Sequence, residues 1–383
     1  MHLTISRNCL LLAILAALPW PLTAVAEPPA TTPAKPSVKA WEHRLERIAQ
    51  PAPLLADYPD YIAPLDETTR WQAPPLIEDD GGRLEVNSWR FSYNARGVIE
   101  TRCLLDGAAT AVIVVHPWGI DDGQGWNTPE PAGAAFKCTP EKNRICRQHV
   151  KDVIRPLVDR LRPQVRAVAC SLPGKEDPVR KLLYRSVRQV PSPADRETGA
   201  AQLRRTMDQF SFRGTPLPTV LNFRTDRPVA AEYFRQFPAL DAGSSYNGTG
   251  FWELPIPVVR ELGWQPEDTV IYDGDGYPAL RDWLRAQGIR HVLLAGYSTD
   301  MCVCETTAGY DNLRNDFNVF LVGDATLATF PASRTPRHAT AAAVAFASLK
   351  VMVTQCSHIR ILPEEQHNTA STPAANPAAT AAP

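Results

Sequence analysis

The sequence predicts an α/β fold: a three-layer sandwich around a mainly parallel sheet, preceded by a small N-terminal extension with a β-hairpin. Three observations lead there. Residues 111–115 (AVIVV) form an unbroken apolar run, as expected of a strand covered on both faces. From residue 108 onward such runs alternate with stretches of helical periodicity, the pattern of successive βα units. Within 290–325 a strand, a polar turn, a helix-compatible stretch and a second strand follow one another without interruption.

In chain order, residues 1–26 read as a secretory leader. Arg7 supplies the positive start, residues 10–18 the apolar centre, and Ala24-Val25-Ala26 the small-residue cleavage site. That centre is too short to span a bilayer, so the expected product is exported, periplasmic or secreted, with no membrane association after cleavage. Cys9 leaves with the leader. Cys103, Cys138, Cys146, Cys170, Cys302, Cys304 and Cys356 remain, an odd number, so at least one thiol lacks a partner within the chain. Cys138 and Cys146 flank a turn-like segment and are the expected local bridge. Lys and Arg number 40 against 41 Asp and Glu, without single-sign blocks, which excludes nucleic acid as an expected partner.

Residues 27–40 form a Pro/Ala/Thr spacer and 41–107 the extension. In the extension a short helix is expected over 41–49, and strand-like alternation over 84–105 turns at Asn94-Ala95-Arg96-Gly97. The main domain runs over 108–362. After the 111–115 strand and a Gly/Pro-rich loop, a helix over 145–162 places Val150, Val153, Ile154, Leu157 and Leu161 on one face. A strand at 165–170 precedes a long Pro- and Gly-rich stretch, 173–268, expected to hold insertions and substrate-facing loops. Then come a strand at 269–272, a helix at 277–287, the two strands around Cys302, an Ala-rich helix at 335–353, a last strand at 359–362 and a disordered tail at 363–383.

Cys302 falls where a turn becomes a helix. There the free backbone N–H groups and the positive helix end favour a thiolate, although a cysteine after a strand also serves as plain core packing. The surrounding run Gly296-Tyr297-Ser298-Thr299-Asp300-Met301-Cys302-Val303, then Thr306 and Thr307, then a strand closing on Asp324-Ala325, resembles the nucleophile region of the isochorismatase-like cysteine hydrolases. That family includes nicotinamidases and N-carbamoylsarcosine amidases. The resemblance implies the same sandwich fold, Cys302 as nucleophile, a small-molecule substrate with an amide-like C–N bond, and assembly into a homo-oligomer as an option. It also implies an oxyanion hole from the backbone N–H groups of Ser298 and Cys302, with a cis peptide at Tyr297–Ser298.

The family places an Asp at the end of the first strand and a Lys at the end of the third. This chain has His116 and Asp273 there. A Cys302–His116–Asp273 arrangement is chemically coherent: the imidazole takes the thiol proton and the carboxylate holds the ring. Asp121, Asp122 and Asp275 are alternative acids at the same rim. Trp118, Asp121 and Tyr297 are the expected pocket residues, with Trp126 either beside them or buried. The segment after the second strand offers Glu176 and Asp177 without a histidine, so neither metal nor cofactor is expected. His149, His291 and His338 read as structural, and Cys304 as buried and inert. The competing reading is a degenerate member of the fold, acting as a binding or scaffold module.

Overall fold

The computed structural model describes residues 40, 42–66, 69–117, 140–209, 219–234, 254–328 and 354–363. Contacts divide the chain into two units, Met1–Glu42 and His43–Pro383. Only Ala40 and Glu42 of the first lie among the described residues, both exposed. The leader, the spacer up to residue 39, the 335–353 helix and the tail from residue 364 lie outside them, as do Cys138 and most of the loop after the first apolar strand.

One sheet organises the second unit. Its strands are β1 (Glu46–Arg47), β2 (Arg70–Gln72), β3 (Ile77–Glu78), β4 (Leu84–Ser92), β5 (Gly97–Leu105), β6 (Thr110–Val115), β7 (Ala167–Leu172), β8 (Thr269–Tyr272), β9 (His291–Tyr297), β10 (Asn318–Leu327) and β11 (Gln355–Ile361). They lie in the order β1-β2-β5-β4-β11-β10-β9-β6-β7-β8, with β3 beside β5. The six strands from β11 to β8 pair in parallel. Helical layers cover both faces, which is why TAVIVV in β6 has no polar side. Val112 and Val114 pack with Val153, Leu157 and Leu161, and Ala111, Ile113 and Val115 with Leu280, Leu284 and Leu313.

The β4–β5 hairpin turns where the sequence places it, with Ser92 opposite Gly97. It does not pack on the sheet but continues it, β4 pairing antiparallel with β11. Behind it lies a buried ion pair, Arg70 to Glu100 at 2.6 Å. Asn87 donates to the other Glu100 oxygen at 2.7 Å, so the buried carboxylate is fully engaged. The seam between hairpin and domain is pinned by the Trp89 indole N–H, which donates to Ser357 Oγ at 3.0 Å, both residues being buried. Ser357→Ala leaves that N–H without its acceptor. The expected loss is about 1–3 kcal/mol, read as a lower urea midpoint at unchanged slope.

Four expected elements are corrected. No helix occupies the described part of 41–49; Glu46–Arg47 is a short strand on β2. The predicted helix at 145–162 begins earlier, at Pro140, and is interrupted by a π-turn, Val150–Ile154, before the segment Arg155–Leu161. Pro156 stands in the first turn of that segment; it has no N–H to donate to the carbonyl four residues back and its ring crowds that carbonyl, so the widened turn precedes it. The 173–268 stretch is not only loops: Pro193–Gln209 is a 17-residue helix. The last strand starts at Gln355, earlier than the predicted 359.

Candidate active site

β9, β6, β7 and β8 are consecutive parallel neighbours, so their carboxyl ends lie along one edge, where open α/β sheets bind ligands. His116 follows β6 directly. Its backbone is left-handed, φ 47°, and its N–H donates to the Ser171 carbonyl at 3.0 Å. Such backbone costs a non-glycine residue about 1–2 kcal/mol and collects at functional positions. Asp273 follows β8 and opens a 3-10 turn, Asp273–Asp275. Cys302 follows β9 across the Ser298–Met301 turn.

The three meet. His116 Nε2 lies 2.9 Å from Asp273 Oδ2, and the Cys302 thiol is near enough to the same ring to act on its protonation. His116 is 4% exposed and Cys302 6%. Burial pushes the imidazole pKa down, but the hydrogen bonds and charges of Asp273 and Cys302 outweigh it and raise it to about 9. The ring therefore keeps its proton at neutral pH. Because the folded value lies above the unfolded one, the contribution to stability is complete below about pH 6.5 and is lost as pH rises through about 9. Urea midpoints should fall across that window, and His116→Gln should flatten the slope.

Adjacent threonines fix the strand ends to one another. Thr306 Oγ1 donates to the Cys302 carbonyl at 2.7 Å, and Thr307 Oγ1 to the Asp273 carbonyl at 2.9 Å. The Thr307 link is a tether that the sequence reading missed, because it joins residues 34 apart and only the folded chain brings them together. The helix at Cys302 is a single turn, Cys302–Glu305, so its dipole is small and the imidazole is the stronger influence on the thiol. The Tyr297–Ser298 peptide is cis. The N–H groups of Met301 and Val303 both donate to the Ser298 carbonyl, at 3.0 and 3.1 Å. Those of Ser298 and Cys302 meet no acceptor among the described residues.

Other candidates fall elsewhere. Tyr297, expected at the pocket wall, is a core residue, 1% exposed. Its hydroxyl donates to the Cys146 carbonyl at 3.0 Å and lies 2.8 Å from His149 Nδ1. Asp275 is engaged by Arg188 at 2.8 Å and by the Tyr272 N–H at 3.1 Å, which leaves it unsuited to orient His116. Trp118, Asp121, Asp122, Trp126 and His338 lie outside the described residues. Asp177 pairs with Arg180, and no group of three or more metal-ligating side chains occurs among the described residues. His291 bonds Asp79 at 2.8 Å, and the buried Cys304 thiol donates to the Thr299 carbonyl at 3.2 Å.

The isochorismatase domain family model matches residues 229–355. No curated protein matches the sequence. Among solved structures the chain is similar to a nicotinamidase from Bacillus subtilis, with 13% identity over 64% of this chain and 98% of that one, TM-score 0.31. It is similar to a cysteine hydrolase from Pseudomonas syringae pv. phaseolicola, with 18% identity over 65% and 86%, TM-score 0.32. A third is the YcaC gene product of Escherichia coli, an octameric hydrolase of unknown specificity, with 16% identity over 63% and 74%, TM-score 0.26. The matched segment spans β8, β9, Cys302 and β10, so over residues 229–355 the chain is similar to the isochorismatase domain family.

Proposed function

We propose that the protein is an exported hydrolase that cleaves an amide-like C–N bond of a small molecule by acyl transfer through Cys302. One observation carries the reading: a buried imidazole held between the Asp273 carboxylate and the Cys302 thiol. His116, as imidazolium, holds the proton that the thiol gives up, and the sulfur attacks as the thiolate of that ion pair at the substrate carbonyl carbon. The oxyanion that forms faces the amides of Ser298 and Cys302. Collapse breaks the C–N bond while the imidazolium gives its proton to the departing nitrogen. Water, deprotonated by His116, then attacks the thioester, releasing a carboxylic acid and restoring the thiol. Asp273 holds the ring throughout and stabilises its charged form.

The test uses a panel of primary amides including nicotinamide, with ammonia release and intact-mass detection of an acyl-enzyme. The expected result is an initial burst of product equal to the enzyme present, absent in Cys302→Ala. Turnover should decline on the alkaline side near pH 9, where the imidazolium loses its proton. Hydrolysis that persists in Cys302→Ala, or a Cys302 that alkylates no faster than in the unfolded chain, overturns the reading. The second outcome would favour a binding module on an enzyme fold.

A further inference from the structure

We propose that the cavity between β10, β11 and the helix Arg155–Leu161 is a second ligand site, built to hold a small alkylammonium ion on Asp324. The cavity has a volume of about 140 Å3. Its wall residues Val153, Leu157 and Val322 belong to one core layer, while Cys302 belongs to the layer on the opposite face of the sheet.

Asp324 is the reason to expect a ligand. It lines the cavity, is 8% exposed, and its Oδ1 is buried with no hydrogen-bond partner among the described residues. Its backbone is committed elsewhere, the carbonyl receiving His149 Nε2 at 2.8 Å. A buried carboxyl without a donor is costly, and Asp324 is the buried acid that lines the open volume, so a donor seated there would meet its carboxyl group.

The surroundings select the class of ligand. A metal ion needs several more ligating groups, and no such cluster exists among the described residues. An anion is repelled by Asp324, and a neutral molecule leaves its charge unmatched. An alkylammonium supplies N–H donors and one positive charge. The apolar walls at Val153, Leu157, Val322 and Ile359 accept a short alkyl chain. The volume corresponds to about four or five water-sized groups, the size of a three- or four-carbon amine.

Other ionisable groups face the same space. Asp57 adds a second carboxylate at the rim, 3.8 Å from His358 Nδ1, and Arg160 stands on the helix side; all three are exposed. The Tyr58 phenol is kept neutral by burial and by the negative charges of Asp324 and Asp57. Burial, with the charge of Asp57, pushes the Asp324 carboxyl up to about 7. Binding that requires the ionised form should therefore strengthen with pH.

The experiment is calorimetric titration of the full chain with n-propylammonium chloride, against 1-propanol as the neutral analogue at matched ionic strength. Propylammonium is expected to bind about 30-fold more tightly at about pH 8.5 than at about pH 5.5, the ratio of ionised Asp324 at those pH values. Propanol should not bind. Asp324→Asn should abolish binding, whereas His358→Gln should keep the pH dependence and so exclude the rim imidazole as its source. The comparison of cation with neutral analogue stands on the unaltered protein, whatever the Asn variant's stability. Equal binding of the two probes, no binding of propylammonium, or a pH-independent affinity overturns the proposal.

Discussion

Replacing His116 by asparagine should slow alkylation of Cys302 by iodoacetamide at neutral pH by about tenfold or more. Without a base in contact, a thiol of ordinary acidity is only a few per cent thiolate at pH 7, and the thiolate is the reacting species. Asparagine is the informative substitution because it tolerates the left-handed backbone at this position, φ 47°, better than most residues. Alanine tests the same loss with an added backbone cost of about 1–2 kcal/mol. Asp273, with its side chain 24% exposed, keeps partial contact with solvent when the ring is gone, which limits the added cost in either variant. The rate at which peptide mass spectrometry finds Cys302 modified is the measurement. An unchanged rate would remove His116 from the mechanism, and with it the proposal that an imidazole serves as the base of Cys302.

How much of this was legible in the sequence depended on whether the information was local. The β9–turn–Cys302–β10 unit was read correctly because its strand runs, glycine and turn residues are contiguous. His116 and Asp273 are 157 residues apart, yet their meeting followed from topology, since both end parallel strands on one edge. The helix Pro193–Gln209 was missed because only Gly199, Leu203 and Met207 are buried in it, too thin a stripe to register as periodicity among charged residues. The pairing of β4 with β11 was equally hidden. Alternation in 84–92 announces a strand but not its neighbour, and the Trp89–Ser357 contact closes a separation of 268 residues.

Tyr297 is the instructive miss. It sits beside the turn that carries Ser298, and that proximity suggested a pocket wall. The strand in fact continues through it, so its side chain follows the parity of Leu293 and Ala295 into the layer opposite Cys302. One residue of strand length decided between substrate contact and core.

The same strand sets the second large expectation, that Gly296→Ala abolishes the folded state or leaves it only marginally stable. Gly296 has φ 107°, a conformation closed to side-chain-bearing residues, and it lies opposite Val115 in the β6–β9 ladder. A Cβ there would stand 2.1 Å from the Val115 carbonyl oxygen, 2.5 Å from its nitrogen and 2.8 Å from its carbonyl carbon. All three are backbone atoms, so no rotamer change relieves the clash. The two central strands must part at the point where one delivers His116 and the other leads to Cys302. A loss above about 4–5 kcal/mol is expected, a large share of the roughly 5–15 kcal/mol that holds a domain together. Gly288→Ala is the control: its φ is also positive, 75°, but nothing lies within 4 Å of the added carbon, so its cost is the backbone conformation alone, about 1–2 kcal/mol. Urea unfolding of the two variants separates steric closure from backbone preference. A Gly296→Ala protein as stable as Gly288→Ala, with Cys302 alkylating at the unaltered rate, would mean that the close approach of β6 and β9 is not what brings the thiol to the imidazole.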